Sequence, residues 1–153
     1  SRHPRRRALV GPADAEMPAT PDFVVFFIVY TLTTALVPQP ASTANESAAM
    51  EKEGGRILAA LPEGSFVIAL DVKGQSWSSE ELAASFGERE LSGQNQIAFV
   101  IGGDLGLSPA VLARSNQRLS LSKMTFTHPM ARLLLLEQVY RAFRILRGEP
   151  YHK

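Results

Sequence analysis

The stretch Ile97-Ala98-Phe99-Val100-Ile101-Gly102-Gly103 constrains the fold more than any other part of the chain. It is an unbroken apolar run of strand length, rich in β-branched and aromatic residues. A strand that is apolar at every position has both faces covered, as at the centre of a parallel sheet with helices above and below. Gly102-Gly103 ends the run and Gly106 follows closely. Ser108-Pro109 then reads as a helix start, with Ser at the N-cap and Pro at the first helical position. Ligands of open α/β sheets bind outside the carboxyl ends of such strands, where a bare glycine lets them touch the backbone. A tight strand-to-helix turn with no ligand is the plainer alternative. The spacing is neither G-x-G-x-x-G nor G-x-x-x-x-G-K-[ST], so the two commonest nucleotide fingerprints are absent.

The flanking sequence repeats the alternation of strand and helix. Residues 65–71 form a second apolar run, and Lys73-Gly74-Gln75 is expected to turn the chain. Ser78 and Glu81 make a capping box that opens a helix reaching about Arg89. Residues 109–116 are expected as a short helix and Leu119-Ser120-Leu121-Ser122 as a short strand. The last helix, 129–146, is hydrophobic nearly all round from Met130 to Val139, which suggests burial on most sides and a subunit interface, with an intramolecular core as the alternative. Upstream, residues 46–61 read as a helix capped by Asn45 or Ser47 and weakened by Gly54-Gly55. The uncharged residues 23–37 are read as a helix over 23–30 and a strand over 33–37, although their β-branched content also permits two strands. Residues 8–11 are a candidate first strand. The pattern as a whole argues for one α/β domain, residues 1–153, with a mainly parallel sheet.

Composition narrows the chemistry. With no cysteine, thiol nucleophiles, iron–sulfur clusters and Cys-ligated zinc are excluded. His3, His128 and His152 are scattered, so no metal site is expected. The run at 23–37 is shorter than the ~20 residues that span a bilayer, and a Pro-rich loop separates it from Arg5-Arg6-Arg7. A cytoplasmic protein without a membrane segment is therefore expected. A net charge of +1 gives no overall attraction to nucleic acid, so any RNA contact must use local patches. Arg141, Arg144 and Arg147 recur every third residue, as a solvated helix face or as a row facing phosphate.

From about Glu51 to Lys153 the chain resembles the RlmH family, the ribosomal RNA large-subunit pseudouridine methyltransferases of the SPOUT class. The resemblance is carried by Glu51-Lys52-Glu53-Gly54, by Val67 to Asp71 followed by Gly74, and by Phe99 to Gly103 with Gly106-Leu107. It continues through Leu119 to Phe126, Glu137-Gln138-Val139-Tyr140-Arg141-Ala142 and the closing Tyr151-His152-Lys153. The first fifty residues depart from the family's pattern. The resemblance implies a SPOUT-type, mainly parallel sheet with helices on both faces and a C-terminal trefoil knot, a rare exception to unknotted chains. It implies S-adenosyl-L-methionine as cofactor, a homodimer with active sites at the subunit boundary, and methylation of N3 of a pseudouridine in 23S ribosomal RNA of the assembled ribosome. Carried over by position, the cofactor contacts are Leu70, Gly102, Leu121, Ser122, Lys123, Met124, Thr125 and Phe126. Tyr151, His152 and Arg141 are the candidates to reach the nucleotide, with His152 as base, Tyr151 stacking on or orienting the ring, and Arg141 contacting phosphate or pseudouridine. A surface ion pair is the other reading of Arg141. The competing function is a ribosome-binding protein that keeps the fold but has lost turnover. A nicotinamide-dependent oxidoreductase is disfavoured because the dinucleotide fingerprint is missing.

Overall fold

A computed structural model describes residues 24–29, 43–102 and 106–150. Eight elements follow one another: β1 (Val24–Val29), α1 (Thr43–Ala60), β2 (Phe66–Ser76), α2 (Ser79–Leu91), β3 (Gln96–Ile101), α3 (Pro109–Arg114), β4 (Gln117–Ser120) and α4 (His128–Leu146). The strands form one sheet in the order β1-β3-β2-β4, and every pairing is parallel. The central place of β3 follows from its apolar sequence. Alternate residues of the inner strands serve opposite faces. Ile68, Ile97, Phe99 and Ile101 pack with Leu82 and Phe86 of α2 and with Leu135 and Val139 of α4. Val67, Ala98 and Val100 pack with Ile57 of α1 and Val111 of α3. Helices thus cover both faces, as the sequence predicted.

Local chemistry sets the helix ends. The capping box of α2 is present: Glu81 N donates to Ser78 Oγ at 3.1 Å and Ser78 N donates to Glu81 Oε2 at 2.7 Å. Ser108 caps α3 by accepting from Val111 N at 3.3 Å, with Pro109 in the first turn. In α4 the buried residues Ala131, Leu135, Val139 and Ala142 form a single stripe.

Several sequence expectations need correction. Residues 24–29 are a strand and not part of a helix; Val-Val-Phe-Phe-Ile-Val favours the extended chain, and the run pairs along its whole length with β3. The expected strands at 8–11 and 33–37 lie outside the described residues. Helix α1 starts at Thr43, so Asn45 and Ser47 lie inside it and do not cap it. Gly54 is buried in α1, and a Cβ there would overlap the Ser108 side chain, so this glycine lets α1 lie close against α3. Lys73-Gly74-Gln75 does not end β2, which runs on to Ser76. The pairing instead shifts register: Leu119 is matched with Leu70 and again with Gln75, and Ser120 with Ser76. Gly74 makes this possible by lying directly against the β4 backbone. Strand β4 begins two residues earlier than expected and stops at Ser120, before Leu121. Helix α4 is not buried all round. Met130 is 47% exposed and Leu133 60% exposed on the side away from the core.

Candidate functional site

The carboxyl ends of β3 and β4 flank Leu70 in the middle of β2, and several residues expected to hold a cofactor lie there. Ala69 is opposite Val100, which sets Leu70 level with Ile101, one residue before Gly102. On its other side Leu70 is opposite Leu119, two residues before Leu121. Leu70, Leu121 and Phe126 are partly buried and pack against the same core cluster, between the sheet and the α2 and α4 helices. They give the strand ends an apolar floor.

Residues 121–126 connect β4 to α4. Two hydrogen bonds shape the loop: Ser120 Oγ donates to Ser122 O at 3.0 Å, and Met124 N donates to Ser122 Oγ at 3.0 Å. Ser120 is itself buried, so the root of the loop is fixed. Leu121 and Phe126 turn inward, and Lys123, Met124 and Thr125 are exposed, Met124 at 74%. Gly102 is buried at the end of β3. A Cβ there would lie 2.7 Å from Leu107 Cδ2 and 3.0 Å from the Gly106 carbonyl carbon and oxygen. The space this glycine leaves is therefore used by the chain itself as it returns from residue 106.

Arg141 lies two-thirds of the way along α4, where Nη2 donates to Glu137 Oε1 at 2.6 Å. Glu137 Oε2 also accepts from Gln138 Nε2 at 2.8 Å, and Gln138 Oε1 accepts from Ser79 Oγ at 2.6 Å. Arg141 is thereby tied through two side chains to the start of α2. Nothing in the spacing of Ser79 announces this link; only the run Glu137-Gln138 next to Arg141 hints at it. Arg144 pairs with Glu149 and its guanidinium carbon stands 5.7 Å from the centroid of the Tyr140 ring. His128 is half-buried at the start of α4. Tyr151 and His152 lie outside the described residues.

A cofactor built of an adenine, a ribose and a charged methionyl group needs an apolar wall for the base and backbone polar groups around it. Leu70, Leu121 and Phe126 supply the first and the 121–126 backbone the second, so the residues present fit such a group. Two concavities occur elsewhere, one at Gly64, Arg89 and Gln94 and one beside the start of β4. No helix of the described residues is long and apolar enough to cross a membrane.

Comparison with known proteins identifies the family. A family model described as "Predicted SPOUT methyltransferase" matches residues 23–152. The ribosomal RNA large subunit methyltransferase H of Symbiobacterium thermophilum is 54% identical over 127 residues, covering 82% of this chain and 79% of that protein. Its namesake from Clostridium botulinum (strain Kyoto / Type A2) is 58% identical over 116 residues, covering 76% and 73%. A protein of Methanoregula boonei placed by name in the same group is 64% identical over 113 residues, covering 74% and 71%. Among solved structures, a probable methylase family protein from Haemophilus influenzae Rd KW20 superposes with a TM-score of 0.48 at 16% identity, over 84% of this chain and 70% of that one. The match across nearly the whole chain, with identities above half, places this chain among the SPOUT methyltransferases, in the large-subunit methyltransferase H family.

Proposed function

We propose that the protein transfers a methyl group from S-adenosyl-L-methionine to N3 of a pseudouridine in 23S ribosomal RNA of the assembled ribosome, in the cytoplasm. The observation that carries this reading is the nearness of Leu70 of β2 to the ends of β3 and β4, from which Gly102 and residues 121–126 follow, in a chain 54% identical to a large-subunit ribosomal RNA methyltransferase. The sulfonium of the cofactor supplies an already activated methyl group, so the protein's work is positioning. Leu70, Leu121 and Phe126 wall the adenine. Backbone groups of Ser122, Lys123, Met124 and Thr125 satisfy its polar edge, and Gly102 lets Gly106 and Leu107 pack against the end of β3. A base must also accept the N3 proton, and His152 takes that role, with Tyr151 orienting the ring and Arg141 meeting a phosphate or the pseudouridine.

The length of α4 argues for a homodimer. Its 19 residues rise roughly 1.5 Å each, about 28 Å in all, so its end stands that far from the loop at its start. In this reading Tyr151 and His152 of one subunit serve the 121–126 loop of the other. The exposed Met130 and Leu133 give α4 an apolar face for such a partner. The knotted passage of the chain belongs to the same reading.

The test is calorimetric titration with S-adenosyl-L-methionine, with the mass in solution, followed by methylation of ribosomes read by mass spectrometry of the RNA. Micromolar binding to a dimer and a methyl group on one pseudouridine are expected. A folded dimer that binds ribosomes and leaves them unmethylated would establish the binding protein without turnover instead.

A further inference from the structure

Charge is unevenly spread along the chain. Residues 92–136 contain Arg114, Arg118, Lys123 and Arg132 against the single acid Asp104, whereas α2 alone carries Glu80, Glu81, Glu88 and Glu90. In the fold, part of this basic stretch meets Lys73. Residues 73–75, the end of α3 and the start of β4 together line a concavity at the open edge of the sheet. Its charged side chains are Lys73 and Arg118. The nearby Asp71 is turned inward, with its side chain 17% exposed against 49% for Arg118, and their closest N···O distance is 3.9 Å. Asp71 also accepts from Lys73 N at 3.0 Å. The acid is spent on holding the two basic residues in place, and their charges face outward. At 3.9 Å the Arg118–Asp71 contact is long, which lets the exposed Arg118 turn to another anion.

Three carboxamides complete the surface. Gln117 Nε2 donates to Gln75 Oε1 at 3.0 Å across the concavity, and Asn116 Oδ1 accepts from Val67 N at 2.8 Å. Each fixes one end of an amide and leaves other donor or acceptor capacity. Fixed amides beside two outward cations suit a ribose-phosphate chain, with cations for phosphate and amides for 2′-hydroxyls or base edges. β4 leads from this surface directly into loop 121–126, where Lys123 is exposed. We propose that the concavity formed by Lys73, Gln75, Asn116, Gln117 and Arg118 is a docking surface for the RNA strand flanking the methylated nucleotide. The proposal rests on ribosomal RNA being the substrate.

The test compares wild type, the double variant Lys73→Ala/Arg118→Ala, and a control, Lys52→Ala/Arg56→Ala, on the exposed side of α1. Each is measured for S-adenosyl-L-methionine affinity, mass in solution, and KM and kcat on ribosomes over a salt series. One lost phosphate contact weakens binding about 5- to 8-fold at 0.1 M salt. The double variant is expected to raise KM for ribosomes roughly 25- to 60-fold and to reduce the salt slope by about two contacts. Its cofactor affinity, mass and kcat stay at wild-type values, and the control changes little. KM and salt slope equal to wild type would overturn the proposal. So would a double variant that changes mass, which would make the surface a subunit contact. If wild type itself leaves ribosomes unmethylated, the functional reading fails first and the docking surface falls with it, a result visible in the wild-type arm alone.

Discussion

Replacing Gly74 by alanine tests how the site loop is held. The added Cβ would stand 2.7 Å from the Arg118 carbonyl carbon and 2.8 Å from Arg118 O and Leu119 N. Relaxed contacts between carbons lie at about 3.5–4.0 Å, so the two chains must separate by roughly 0.8 Å. All three atoms are backbone, and no side chain can swing aside. The separation falls where Gln75 and Ser76 pair with Leu119 and Ser120, one residue before the loop. Overpacking of this kind costs about 1–3 kcal/mol, and the reduced freedom of the unfolded chain returns about 0.4–1 kcal/mol. A net destabilisation of about 1–2 kcal/mol is expected, lowering Tm by roughly 2–8 °C in a chain of this size. The shift at the root of the loop should also weaken S-adenosyl-L-methionine binding by about tenfold or more, since displacements near 1 Å are felt strongly in positioned sites. Denaturant unfolding and calorimetric titration of the same preparation measure both. Wild-type stability together with wild-type affinity would refute the close approach. Lost stability with unchanged affinity would refute the coupling between this contact and the loop.

Phe86→Ala should cost about 3–5 kcal/mol in denaturant unfolding, because the ring is fully buried and packs against Phe99 at 6.2 Å and Phe143 at 5.3 Å between centroids. Arg141→Ala separates the two readings of that residue: loss of a half-exposed ion pair with Glu137 changes stability by under about 1 kcal/mol, whereas loss of a substrate contact lowers kcat/KM on ribosomes by tenfold or more with the cofactor affinity retained. Leu133→Glu places a charge on the exposed apolar side of α4 and is expected to convert a dimer to a folded monomer, read by mass in solution and circular dichroism, with methylation lost because the partner's tail no longer reaches the loop.

The parts of the fold legible in the sequence are those where a short-range rule has no competitor. The apolar run of β3 admits only a buried strand, and Ser78 with Glu81, or Ser108 with Pro109, fixes a helix start through atoms three residues apart. The family resemblance, and no short-range rule, offers Leu70, Gly102 and residues 121–126 as cofactor contacts; the register sets Leu70 level with the end of β3 and opposite Leu119 of β4. The misreadings came where a long-range contact decides. Residues 24–29 have the hydrophobicity of a buried helix, and only β3 alongside selects the strand. Lys73-Gly74-Gln75 has the composition of a turn, and only the β4 backbone against Gly74 reveals a register shift inside a strand.

That shift also explains why the loop can be both short and exact in position. The loop holds few buried side chains of its own, with Lys123, Met124 and Thr125 exposed. Its rigidity must come from its ends. At the β4 end, Leu119 is matched with both Leu70 and Gln75, and Ser120 is buried and bonded to Ser122. At the α4 end, Ala131 N donates to Thr127 O at 2.9 Å, and Ala131 is buried in the core. The loop is thus clamped where it leaves the sheet and where it enters the helix.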